Sequence, residues 1–306
     1  MERLAKGLAG QSAMRAAAWL AVVGAAIACL GACSLAGSRV GHEMMLPPQL
    51  TGGVVPGNRV KKLLQVADAE WRRWGGQVLK VAAGERPCAI VVSGECVTID
   101  DGCGKEQSVA LCPVVEEFWA HIRRTSGERF FHDCSRVGVC EHALPPGQPA
   151  VRTPAWSAAF LSTIMDRAGF TQAEFRSSPF HANYVVAARD GETTAYEVVP
   201  TPAYVAPGDI ACTTRLADRP QYTPQEIGLL MPNAVASRPT PMHCDLIVAV
   251  DLSRRVAQAI GGNVMQAVSL IDIELDRQGR LSPQVNDDRP WLLVMRLRPE
   301  IRAKNW

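Results

Sequence analysis

Ser157 stands at the start of a helical stretch, Pro154-Ala155-Trp156-Ser157-Ala158-Ala159-Phe160. His243 opens a β-type run that continues Cys244-Asp245-Leu246-Ile247-Val248, and Gly261-Gly262-Asn263 closes the next run. A hydroxyl, an imidazole and a carboxylate or amide are the parts needed for nucleophilic acyl transfer. A serine hydroxyl is too weak an acid to ionise alone, and the ~0.3–1 kcal/mol that a helix N-terminus gives an anion does not change this. Ser157 would need a neutral His243 to take its proton during attack, and the free amides at the helix start would serve as oxyanion donors. Asp245 lies two residues after His243 and so shares its strand face. An aspartate there would stabilise an imidazolium better than the amide of Asn263. Serine is also a favoured N-cap, so Ser157 reads equally well as a helix cap or packing residue in a domain that kept the fold without the chemistry.

The order of these segments resembles the papain-like cell-wall amidases of the CHAP and NlpC type. There a cysteine heads a helix in a motif like PWCAAF, a histidine begins the first strand of a sheet, and a polar residue on the neighbouring strand orients it. Asn263 matches that third position, and Gly208-Asp209 looks like the Gly-Asp those families place at the start of an intervening strand. The chain also resembles a bacterial domain family of unknown function, number 2272, which shares the WSAAF, HCD and GGN segments. This likeness covers roughly residues 60–300 and is strongest from Pro154 to Val268. It implies a papain-like α+β domain, with the nucleophile-bearing helix packed on an antiparallel sheet. It further implies amide-bond hydrolysis in peptidoglycan peptide: Ser157 attacks, His243 acts as base and then acid, and Asn263 or Asp245 holds the imidazole. Serine in place of the amidase cysteine leaves an alternative open, an inactive relative that binds cell wall or an envelope protein. Trp156 beside Ser157, with His181 and Tyr184 one turn apart on a later helical stretch, are candidate substrate-binding residues. The last two read equally as packing residues.

Ten cysteines occur. Cys29 falls in an export signal and Cys33 at its end, which leaves Cys88, Cys96, Cys103, Cys112, Cys134, Cys140, Cys212 and Cys244. An even number in an exported chain reads as disulfides. The spacings Cys103 to Cys112 and Cys134 to Cys140 lack the close pairs of zinc sites, so no metal is expected, and no cofactor either. Cys244 alternates to the face opposite His243 and Asp245 and is expected to bond Cys212 on an adjacent strand. Cys244 as a nucleophile would sit on the wrong element and the wrong face.

The elements that must carry these groups follow from the rest of the pattern. Arg3, Lys6 and Arg15 precede an apolar run from Ala16 to Ala32, too short to span a bilayer. It ends in Leu30-Gly31-Ala32-Cys33, which resembles the lipobox of bacterial lipoproteins. Residues 1–32 are therefore read as a signal peptide, with Met1 or Met14 as the start, and Cys33 as the lipidated first residue on the membrane. Ser34 favours the outer membrane, facing the periplasm, by resemblance to sorting rules. Residues 33–58 form a tether rich in Pro and Gly. Acidic and basic side chains balance beyond the signal, and no basic patch argues for nucleic acid. Residues 59–306 form the domain, with 84–150 as a cysteine-rich insertion. Helical spacing runs over 59–82 with a break at Gly75-Gly76, then over 113–124, 154–170 and 180–191. β-type runs cover 208–213, 246–251, 257–260, 268–275 and 291–297. Helices first and antiparallel strands afterwards argue for an α+β fold.

Overall fold

The structure is a computed structural model that describes residues 57–80, 88–92, 95–97, 106, 108–134, 154–214, 223–230, 240–283 and 290–303. The expected signal peptide, the lipid site Cys33 and the tether to residue 56 lie outside the described residues. So do Cys103, Cys140 and the side chains of Cys88 and Cys96.

Helix α1 (Asn58–Arg73) buries Val60, Leu63, Leu64 and Ala67 along one face. That i, i+3, i+4, i+7 spacing is what an amphipathic helix requires. The expected break falls where positive φ is needed, at Gly75 (88°) and Gly76 (67°). The residues beyond it do not resume a helix: Gln77–Lys80 is strand β1. Helix α2 (Cys112–Ser126) starts with Pro113 and ends at Gly127, φ 75°. Both are the favoured residues for those ends. Helix α3 (Ser157–Arg167) is buried at every position from Ser157 to Met165. A helix closed on all sides tolerates polar residues only if they are bonded. Thr163 Oγ1 accordingly donates to Ala159 O at 2.8 Å, and Ser162 Oγ to Ser178 O at 3.1 Å. Helix α4 (His181–Arg189) follows, and a short α5 (Pro299–Arg302) closes the chain's described part.

The strands form one mixed sheet. β2 (Cys88–Val92), β3 (Glu95–Val97), β4 (Tyr196–Pro200), β5 (Ile210–Thr214), β6 (Met242–Asp251), β7 (Val256–Val264), β8 (Ala267–Glu274) and β9 (Trp291–Leu297) join β1. Among the described residues the order is β3-β2-β1-β8-β7-β6-β5-β9-β4, nine strands. β1 runs parallel to β8, and the other pairs are antiparallel. β5, β6, β8 and β9 are buried at nearly every position rather than alternately. Both faces are covered there, which explains why these segments read as continuous apolar runs. The fold is α+β. The segment read as an insertion adds β2 and β3 to the sheet edge through β1, and its α2 packs on α3.

Two disulfides tie described elements. Cys112–Cys134 anchors the start of α2. Cys212–Cys244 joins β5 to β6 at directly opposed positions, with Cα atoms 4.1 Å apart. Two ion pairs, each with one buried partner and one half-buried, tie α1 and α5 to the rest of the domain. Arg59, fully buried on α1, binds both oxygens of Glu174 at 2.5 and 2.6 Å and stacks over Phe170. The guanidinium holds the Glu174 carboxyl down to about 2, against the opposing effect of burial. Asp209 accepts from Leu297 N and Ala206 N and pairs with Arg302 on α5. Burial pushes its carboxyl up, and Arg302 pulls it back. The Gly-Asp pair thus fastens β5 to β9 and to the C-terminal helix.

Candidate active site

Ser157 is the first residue of α3, and Trp156 occupies the cap position with no side-chain capping bond. The helix-cap reading of Ser157 therefore fails. Its Oγ instead lies 2.7 Å from Nε2 of His181. The first intrahelical bond of α3 is Phe160 N to Trp156 O at 2.9 Å, so the amides of residues 157–159 precede the helical ladder. Amides in that position are donors available to an oxyanion.

His181 opens α4, and the loop before it is tied to α3. Ser162 Oγ donates to Ser178 O and accepts from Ser178 N, both at 3.1 Å. This pair of hydrogen bonds holds the loop before α4 against the middle of α3. Tyr184 sits one turn later on the same face, and its hydroxyl is hydrogen-bonded to Nδ1 of His181. The Tyr184 ring packs on Phe175 with centroids 4.8 Å apart. Burial, and then the charge of Asp245, push the phenol well above its ordinary value. Tyr184 is therefore a neutral hydroxyl throughout the working range of pH.

His243, near the start of β6, lies edge-on to His181 with ring centroids 5.4 Å apart. Its Nε2 is 2.7 Å from Oδ1 of Asp245, within ion-pair range but out of line for a hydrogen bond with it. Of the two orienters open in the sequence, the structure brings Asp245 to His243. Asp245 is 1% exposed, and neither of its oxygens accepts a hydrogen bond among the described residues. Its register partner on β5 is Ala211.

The Gly-Gly-Asn segment makes this packing possible. A Cβ on Gly261 would fall 1.8 Å from Asp245 Oδ1, and one on Gly262 would fall 2.6 Å from Phe160 of α3. Successive strand residues face opposite ways, so one glycine admits the carboxylate and the other admits the helix. Asn263 follows at φ 55°, where the β7–β8 register shifts. Asparagine tolerates that left-handed region better than most residues. Its side chain makes no hydrogen bond to His243 among the described residues, so its visible role is in the backbone.

Trp156 and Tyr184, two of the expected substrate contacts, are buried. Trp156 is fully buried, stacked between Trp74 (5.0 Å) and Phe118 (5.7 Å), and its indole N–H donates to Glu106. It is a core residue that fixes the start of α3. Tyr184 is 1% exposed and touches His181 rather than a groove. His181, read as a groove or packing residue, is the direct partner of Ser157, while His243 stands beside it. The only hint in the sequence is the His181/Tyr184 helical spacing, and nothing there ties it to a serine 24 positions earlier. A cavity of about 280 Å³ lies against Ser177, Asn183, Ala187 and Asp190. No group of three or more His, Cys, Asp or Glu among the described residues is arranged to hold a metal.

A family model described as an uncharacterized protein conserved in bacteria (DUF2272) matches residues 109–297, and the chain belongs to this family. The matched span contains Ser157, His181, Tyr184, His243 and Asp245. No curated protein and no solved structure gives a match.

Proposed function

We propose that this DUF2272 member is an envelope lipoprotein whose domain is papain-like and cuts an amide bond, in peptidoglycan peptide, with Ser157 as nucleophile. The observation that carries the reading is the 2.7 Å contact between Ser157 Oγ and His181 Nε2 at a helix start whose first amides precede the helical ladder. His181 takes the serine proton as Oγ attacks the carbonyl, the amides of residues 157–159 stabilise the oxyanion, and the imidazolium returns the proton to the leaving amine. His243 and Asp245 stand beside His181 and complete the polar cluster. The papain-like reading is supported by a nucleophile-position helix packed on β6 and β7 and a histidine near the start of β6. Peptidoglycan as substrate follows from the resemblance and from the lipid anchor expected on Cys33.

A second reading has one observation in its favour. Ser157, His181, His243 and Asp245 are 3%, 5%, 4% and 1% exposed. A buried cluster of this kind also suits a relative that kept the fold without catalysis and binds cell wall or an envelope protein. The two separate in one experiment on the full-length chain in detergent, incubated with a serine-reactive fluorophosphonate and with purified peptidoglycan. Catalysis requires labelling that disappears in both Ser157→Ala and His181→Ala, with peptide fragments released by the unaltered protein. No labelling and no fragments, with peptidoglycan still bound, would establish the binding reading instead. Ser157→Cys gives an independent check, because a thiol at this helix start beside an imidazole should alkylate rapidly.

A further inference from the structure

A histidine can serve Ser157 as a base in only one of its two neutral tautomers. With the proton on Nδ1, the Nε2 lone pair accepts from the serine hydroxyl. With the proton on Nε2, the imidazole donates to Oγ and has nothing with which to deprotonate it. The group at Nδ1 decides between them. Here the hydroxyl of Tyr184 is hydrogen-bonded to Nδ1. A hydroxyl can donate or accept, so it enforces a tautomer only if its own hydrogen is drawn elsewhere.

The surroundings supply that bias. Asp245 is a buried carboxylate whose two oxygens accept no hydrogen bond among the described residues. It is seated in the space left by Gly261. A buried carboxylate exerts its field on nearby dipoles, and that field is weakly screened. Asp245 reaches this cluster through His243, whose Nε2 lies 2.7 Å from Oδ1 and whose ring centroid is 5.4 Å from that of His181, the partner of Tyr184; after burial, its charge also pushes the Tyr184 phenol up. A field of that sign favours the phenol hydrogen directed toward Asp245 and the phenol lone pair directed toward His181.

We propose that Tyr184 is a positioning residue that, biased by Asp245, accepts the Nδ1 hydrogen of His181 and so keeps the Nε2 lone pair facing Ser157. This rests on reading Ser157 as the nucleophile only for its consequence in rate; the tautomer itself is a property of the resting protein. It gives Asp245 two tasks, contact with His243 and orientation of Tyr184. It also explains why a tyrosine, rather than a phenylalanine, fills a site packed against Phe175.

The test is nitrogen NMR of the full-length chain in detergent micelles with 15N-labelled histidine, the His181 signal being assigned by its loss in His181→Asn. In the unaltered protein His181 should show a protonated Nδ1 and an unprotonated Nε2. Tyr184→Phe keeps the ring and removes the hydroxyl; it should shift the major population to the Nε2-protonated form. Fluorophosphonate labelling of Ser157 should slow on the order of 10²-fold. Asp245→Asn, which keeps the shape and removes the charge, should shift the tautomer in the same direction and decides the matter if Tyr184→Phe does not fold. An unaltered tautomer in the folded variants overturns the proposal even if labelling falls. A resting protein already protonated at Nε2 overturns it as well. A tautomer that shifts in a protein that never labels leaves the positioning role standing and overturns only the nucleophile reading.

Discussion

Gly261 is set by a side chain on the neighbouring strand rather than by its own backbone. Its missing Cβ is the space occupied by Oδ1 of Asp245, and Val264 Cγ2 stands 2.8 Å from the same point. Gly261→Ala should destabilise the protein by about 1–3 kcal/mol, as overpacking in a close-packed region does. The loss should shrink when Asp245→Ala is combined with it, because the clash is with that side chain. A double-mutant cycle by urea denaturation should show a coupling of roughly 0.5–3 kcal/mol. Gly262→Ala, which meets Phe160 at 2.6 Å instead, should destabilise without coupling to Asp245→Ala. Equal coupling for the two glycines would show that the strand shifts as a unit and that the pairing of Gly261 with Asp245 is not specific.

At the scale of elements, the site depends on two helix starts and one strand start meeting. Each is held by a different device. α3 is seated by Trp156, whose ring lies between Trp74 of the α1 end and Phe118 of α2. Burying a side chain of this size stabilises by roughly 1.5–3 kcal/mol or more. α4 is placed by the Ser162–Ser178 pair of hydrogen bonds. The start of β6 is stapled to β5 by Cys212–Cys244, across a sequence separation of 32. Cys212→Ala combined with Cys244→Ala should cost about 2–4 kcal/mol, read as a lower urea midpoint than the oxidised protein. Because Cys244 lies between His243 and Asp245, the same change should also slow Ser157 labelling. Unaltered stability would mean that strand pairing alone sets this edge of the site.

For the whole molecule, the described domain is a mixed sheet with a central helix, and none of its helices is long and apolar enough to cross a membrane. The lipid anchor proposed on Cys33 is tested separately from the fold. Mass spectrometry of the N-terminal peptide from membrane-extracted protein should find residue 33 first, carrying acyl chains. Cys33→Ser should lose both the acyl mass and the partition into detergent. A first residue upstream of Cys33 with no added mass would remove the anchor from the proposed function.

What was legible in the sequence was set by local rules. Helical spacing located α2, α3 and α4, and the turn glycines and prolines gave their ends within a few residues. The apolar runs located β5 to β9. Alternation along one strand put Cys244 opposite His243 and Asp245, which is why the Cys212–Cys244 bond and the His243–Asp245 contact could both be expected from residue types alone. Tertiary structure decided the rest. The segment after Gly76 has helical spacing in isolation but pairs in parallel with β8, whose residues lie almost two hundred positions away. Trp156 carries the marks of a groove residue until α1 and α2 close over it. Ser157 faces His181 rather than His243 because a serine-to-serine tie holds the loop before α4 against the middle of α3, and no periodicity encodes that approach. Asp245 outranks Asn263 because a glycine on the next strand makes room for it. Periodicity fixes which way a side chain points within its own element. Which groups then touch depends on how distant elements pack, and in this protein that packing selected the partner of Ser157.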